Sequence, residues 1–198
     1  MRAIKEGFQY VLQDRIVLTI ISIIGIVGFF GLSFQTLFPA WAVDILNGDV
    51  KTNGWLRSSQ GLGALIGALT IASLGRFKFK GKLLTTGIFV LPIMMILFSF
   101  VRYTPLAMAT LVFVGIAVIF TNNLSNSLVQ SNVPDNLRGR VMSIYSLTFF
   151  GLMSLGSLMM GQIAELINEP VAVLIGGCMI LVYAILLYFF VPRLRALE

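Results

Sequence analysis

The chain has 198 residues, of which 58% are hydrophobic and only 11% charged, with a net charge of +6. Soluble domains carry about 25% charged residues, so there are too few charges here to clothe a soluble surface. The absence of histidine and the single cysteine, Cys178, exclude a disulfide framework and a Cys/His zinc site within this chain.

In chain order, residues 1–15 (MRAIKEGFQYVLQDR) place Ile4, Phe8, Val11 and Leu12 on one helical face. That pattern predicts a short amphipathic linker helix lying in the membrane interface. A cleavable leader would instead show an apolar run and a small-residue cleavage site here. Six apolar stretches follow, at about 16–38, 53–75, 83–101, 105–127, 141–164 and 170–191, leaving residues 193–198 as a short tail. Each is long enough to cross a bilayer, for which about 20 residues suffice. Continuous apolar runs predict helices rather than barrel strands, because a lipid-exposed backbone must satisfy its own hydrogen bonds.

The connections alternate in character. Residues 39–52 (PAWAVDILNGDVKT) are expected to form an outer loop, and residues 76–82 (RFKFKGK) a basic inner one. With the N-terminus inside, eleven basic residues fall on the inner side and only Lys51, Arg57 and Arg102 on the outer. This positive-inside asymmetry predicts cytoplasmic termini in a multi-pass protein of a bacterial inner membrane. Basic residues confined to short loops beside apolar spans read as orientation signals and contacts with anionic lipid, not with nucleic acid.

The third and sixth stretches are nearly featureless and are expected to face lipid, while the others contain Gly, Ser, Asn and Gln. Three spans followed by three, the plainest last in each set, is the pattern of paired three-helix repeats. On the second span Arg57, Gln60, Gly61 and Ala64 share a stripe, and Gly63 and Gly67 have GxxxG spacing. Close helix packing is the expectation for Gly61, Gly63 and Gly67, and for Gly151 and Gly161 on the fifth span. Arg57 either snorkels to headgroups beside Trp55 or faces a water-filled cavity.

The fourth span ends in TNNLSNSLVQ, where Asn122, Asn126 and Gln130 lie four residues apart on one face. Amides are costly to bury in hydrocarbon without a partner, so this face must look at protein or water. Interhelical hydrogen bonding is one reading. A polar substrate path through Asn122, Asn123 and Asn126, together with Gln35 on the first span and Gln60 on the second, is the other. No carboxylate lies clearly at mid-membrane, and no metal-ligand cluster, phosphate loop or catalytic pair is evident. An enzyme, a metal centre and a cofactor site are therefore not expected.

Residues 126–145 (NSLVQSNVPDNLRGRVMSIY) resemble a cytoplasmic loop of major facilitator superfamily transporters, through Gln130, Val133, Pro134, Leu137, Arg138, Gly139, Arg140, Val141 and Ser143. The resemblance is greatest to the branch of drug and siderophore exporters similar to the enterobactin exporter. Glu6, Gly7, Tyr10 and Val11 resemble the helix before that family's seventh span, and residues 61–64 (GLGA) its eighth. The loop with Arg76 and Lys78 occupies the place of the family's basic motif but lacks its acidic residue.

The resemblance implies an all-α membrane fold, one six-helix bundle of a 3+3 major facilitator architecture. It implies the C-terminal half of a secondary exporter of small molecules working by alternating access against an N-terminal bundle. Arg76, Lys78, Pro134, Asp135, Arg138 and Arg140 then belong to gating loops. Pairing with a second copy and a non-transporting scaffold remain open alternatives.

Overall fold

The computed structural model describes residues 2–73 and 80–191, with side chains from Glu6 onward. Arg76, Lys78 and the 193–198 tail lie outside the described residues. The described residues form helices α1 (Arg2–Gln13), α2 (Arg15–Ile45), α3 (Val50–Ser73), α4 (Lys80–Phe100), α5 (Thr104–Asn132), α6 (Asp135–Leu166) and α7 (Glu169–Phe190). Among them α2, α4, α5, α6 and α7 are long and apolar enough to cross a membrane, so the fold is an all-α multi-pass bundle. Helix α3 has 24 residues, about 36 Å at 1.5 Å per residue. Asn53, Arg57, Ser58, Ser59, Gln60 and its glycines make it less apolar than the other five.

Local chemistry sets the helix ends. Asp14 caps α2, its side chain accepting from the Ile16 and Val17 amides at 2.9 and 3.1 Å. Asn168 caps α7 by accepting from the Val171 amide at 2.9 Å. The chain leaves α2 through Asn47, whose φ of 50° is left-handed. It enters α3 through Asp49, which accepts from the Thr52 amide at 3.0 Å.

The expected outer loop at 39–52 is corrected: α2 runs to Ile45, and only residues 46–49 connect it to α3. Pro39 falls in the first turn of a fresh helical segment, where its missing N–H is not needed. Trp41 then buries itself completely and stacks on Phe98 of α4, ring centroids 4.3 Å apart. Helix α2 is regular only to Ile26; a π-helical stretch (Val27–Leu32) and a tighter 3-10 stretch (Ser33–Leu37) follow.

Two close crossings hold the bundle. A Cβ on Gly63 of α3 would overlap the Val112 carbonyl of α5, and one on Gly115 of α5 would overlap the Gln60 carbonyl of α3. A Cβ on Gly156 of α6 would overlap the Phe29 carbonyl of α2, and one on Gly28 would lie 2.8 Å from the Phe149 carbonyl of α6. Bare glycines let the backbones meet at both places. Gly67 is similarly tight, 3.2 Å from the Ile116 Cα.

Gly61, Gly151 and Gly161 have open space where a side chain would be, which corrects their expected packing role: a Cβ there meets no neighbouring helix among the described residues. The third span, expected to face lipid, keeps Ile93, Leu97 and Phe100 exposed. Helix α4 is wedged between α5 and α7, burying Leu84, Ile88, Leu91, Met95 and Phe98.

At one end α1 lies on α6. Val11 is buried, while Phe8 and Leu12 remain exposed, so α1 gives one edge to protein and an apolar edge to its surroundings. Glu6 pairs with Arg140, and the Tyr10 hydroxyl donates to the Asn132 carbonyl at 3.3 Å.

Candidate functional site

Gln35 of α2, Arg57 and Gln60 of α3, and the middle of α5 converge on a cavity of about 300 Å³. Leu32, Ala64 and Val118 supply its apolar wall, and Gly61 and Gly115 leave bare backbone along it. The α3–α5 crossing positions the site, because Gly115 brings the Gln60 turn directly against α5. The Arg57 side chain is exposed and reaches Phe38 of α2. Its guanidinium carbon lies 5.8 Å from the centre of the Phe38 ring, within the range of a cation–π contact.

Phe38 is itself buried in an aromatic nest with Phe34 and Phe98. In the same nest Arg102 lies 5.9 Å from the Trp41 ring and donates to the Ser99 and Val101 carbonyls at 2.7 and 3.0 Å. Arg102 is thus occupied in closing the end of α4. Phe38 was not legible as a site residue, since 19 positions separate it from Arg57 and no local pattern links them.

The fourth-span amides divide. The Asn122 carbonyl and side-chain oxygens both accept from the buried Tyr145 hydroxyl at 3.2 Å, tying α5 to α6. Asn123, Asn126 and Gln130 instead line an open groove of about 460 Å³ at the α1 end, with Ser127, Ser131 and Arg138. The Gln130 amide donates to Asn126. Steps of three or four residues along α5 join Gly115 and Val118 to Asn122, Asn126 and Gln130. One face of this single helix therefore joins cavity and groove, Val118 and Asn126 lying about 12 Å apart along its axis.

The loop residues close helix ends. The Pro134 carbonyl accepts from the Leu137 and Arg138 amides at 3.0 Å, opening α6. Asp135 stands in the first turn of α6, where a negative charge complements the helix dipole, and meets Arg138 at 2.6 Å. Arg138 Nε also donates to the Gln130 carbonyl at 3.0 Å, capping the last turn of α5. Arg140 reaches back to Glu6 on α1. Beside it, partial burial and the neighbouring Asp14 carboxylate push the Tyr10 phenol above its ordinary value of 10.0. Among the described residues no group of three or more His, Cys, Asp or Glu converges to hold a metal.

A multi-pass helical bundle with a polar cavity at mid-depth has the form of a membrane transporter. The model of the family described as transmembrane secretion effector matches residues 1–198. The chain belongs to this family of major facilitator superfamily transporters, a transport and efflux family rather than a family of enzymes. It is 24% identical over 200 residues to the multidrug efflux pump Tap of Mycolicibacterium fortuitum, covering 100% of this chain and 48% of that protein. It is 22% identical over 187 residues to macrolide efflux protein A of Streptococcus pyogenes, covering 93% of this chain and 46% of that protein. The chain thus spans about half the length of the curated relatives it matches.

Proposed function

We propose that this chain is a six-helix half of a secondary transporter that exports small drug-like or siderophore-like molecules by alternating access. The observation that carries the reading is one face of α5, on which Gly115 and Val118 line the Gln35–Arg57–Gln60 cavity and Asn126 and Gln130 line the groove further along the helix. Helix α3 then serves as the sixth span, its polar side turned to the path rather than to lipid. The α1 end faces the cytoplasm, in keeping with the charge asymmetry of the sequence.

The two glycine crossings support a 3+3 repeat. An exchange of spans one to three with four to six maps the α3–α5 contact onto α6–α2. The matching glycines, Gly28 with Gly115 and Gly63 with Gly156, are each roughly 90 positions apart. The partner bundle covers the open faces at Gly61, Gly151 and Gly161. Relatives named for drug and macrolide efflux support export as the direction of transport.

The test is efflux of anionic, neutral and cationic fluorescent dyes from proteoliposomes holding the chain alone or the chain assembled with an N-terminal six-helix bundle. Efflux from the two-bundle assembly alone is expected. Equal efflux from the chain by itself would replace this reading with a self-pairing transporter. A stable assembly that moves nothing would favour a scaffold.

A further inference from the structure

Arg57 differs from Arg102, Arg138 and Arg140 in what its side chain meets. Arg138 and Arg140 have acidic partners, and Arg102 donates to two carbonyls. Among the described residues Arg57 meets only the face of Phe38. It stands seven residues into α3, about 10 Å below that end of the helix. Its side chain is exposed and has no acidic partner among the described residues, so the guanidinium is open to an anion. Its neighbours in the cavity are the two amides Gln35 and Gln60, which can donate as well as accept, and no carboxylate lines that space. The rest of its side-chain lining, Leu32, Ala64 and Val118, is apolar.

We propose that this cavity takes small amphipathic organic anions, Arg57 with Gln35 and Gln60 holding a carboxylate or phosphate while Leu32, Ala64 and Val118 receive the apolar body. This rests on the cavity being the substrate site and adds the chemical class of the substrate. The planar guanidinium offers paired donors to a two-oxygen anion. Phe38 beneath it holds the plane without neutralising the charge. The two glutamines supply further donors to oxygens that Arg57 leaves unbound. A cationic solute would meet repulsion from Arg57 and no compensating acid from this half of the site.

The experiment is equilibrium dialysis of 1-naphthylacetate and its neutral analogue 1-naphthylacetamide against the full chain in phosphatidylcholine nanodiscs, where no lipid carries a net negative charge. The wild type is expected to bind the acid about ten-fold or more tighter than the amide, as one charge-assisted contact allows. Arg57→Gln should bring the two within about two-fold, and Arg57→Lys should restore part of the preference. Arg102→Gln should preserve it. Equal binding of acid and amide by the wild type, no binding of the acid, or a preference that survives Arg57→Gln would overturn the proposal. Displacement of the acid by added phosphatidylglycerol would make a lipid the occupant and overturn it for solutes. Ala64→Trp separates the two levels, since it fills the cavity without touching the charge. Binding of both probes that survives Ala64→Trp would refute the cavity as the site; binding abolished by it, with no preference for the acid, would refute only the anion class.

Discussion

The α1 end and the mid-depth cavity are both rich in polar side chains, yet they use them differently. At the α1 end, Arg138 meets Asp135 and the Gln130 carbonyl, Arg140 meets Glu6, and Gln130 meets Asn126. Those groups close helix ends and dock the linker, and they saturate one another in doing so. In the cavity, Arg57 has an aromatic face and no acid among the described residues. Polar groups that complete a fold are distinguished from polar groups that await a ligand by what remains unbonded. Residue type alone does not make that distinction.

The largest effects should come from breaking the α3–α5 crossing that positions the cavity. Gly115→Leu would drive a side chain into the Gln60 backbone, which cannot yield as a flexible side chain can. The expected loss is about 3 kcal/mol or more, read as a large fall in the melting temperature of detergent-solubilised protein. Gly61→Ala sharpens the contrast, since a Cβ there meets nothing. Stability should hold or rise by about 0.5 kcal/mol from helix propensity, while probe binding in the cavity weakens.

Tyr145→Phe should cost about 1 kcal/mol, because it removes the hydroxyl shared by the two Asn122 oxygens. The same melting assay checks it, and no loss would remove Asn122 from the structural side of the comparison. Arg138→Gln breaks a partly exposed pair and one cap, so a cost below about 1 kcal/mol is expected, with probe binding in the cavity unchanged.

The smallest effect concerns pH. Tyr10 is neutral in the docked α1, and its phenol is pushed up from 10.0. The docked form therefore holds its proton more tightly than the free form does. The resulting contribution is complete below pH 10.0 and is lost as pH rises towards the raised value. Hydrogen exchange in α1 should accelerate over that window, and Tyr10→Phe should remove the step.

Much of the cavity lining was legible because a lone polar residue in an apolar run is conspicuous. Gln35, Arg57 and Gln60 were found that way, and all three line one cavity. The helix face that packs was harder to read. Residues 57, 60, 61 and 64 form one small and polar stripe of α3, but they line the cavity, and close packing falls to Gly63 and Gly67. Both stripes are rich in small residues, so spacing could not say which one met protein. Asn122 shares a helical face with Asn126 in sequence, yet Tyr145 of α6 claims it through a contact no periodicity encodes. Pro39, Asp44 and Asn47 read as loop residues, and the helix continues past the first two because Trp41 finds Phe98, 57 positions away, to stack on.

The central claim is that the α5 face and the Arg57 cavity form one aqueous path. Single cysteines at Gln60, Asn123 and Asn126, in a Cys178→Ser background, test it directly by their rate of reaction with a charged thiol reagent in membranes. Cysteines at Val182 and Leu186 on the exposed side of α7 serve as lipid-facing references. Thiolate is the reacting form and needs water, so the account predicts reaction at the three path positions about ten-fold or more faster than at the two references. Path positions as slow as the references would contradict it.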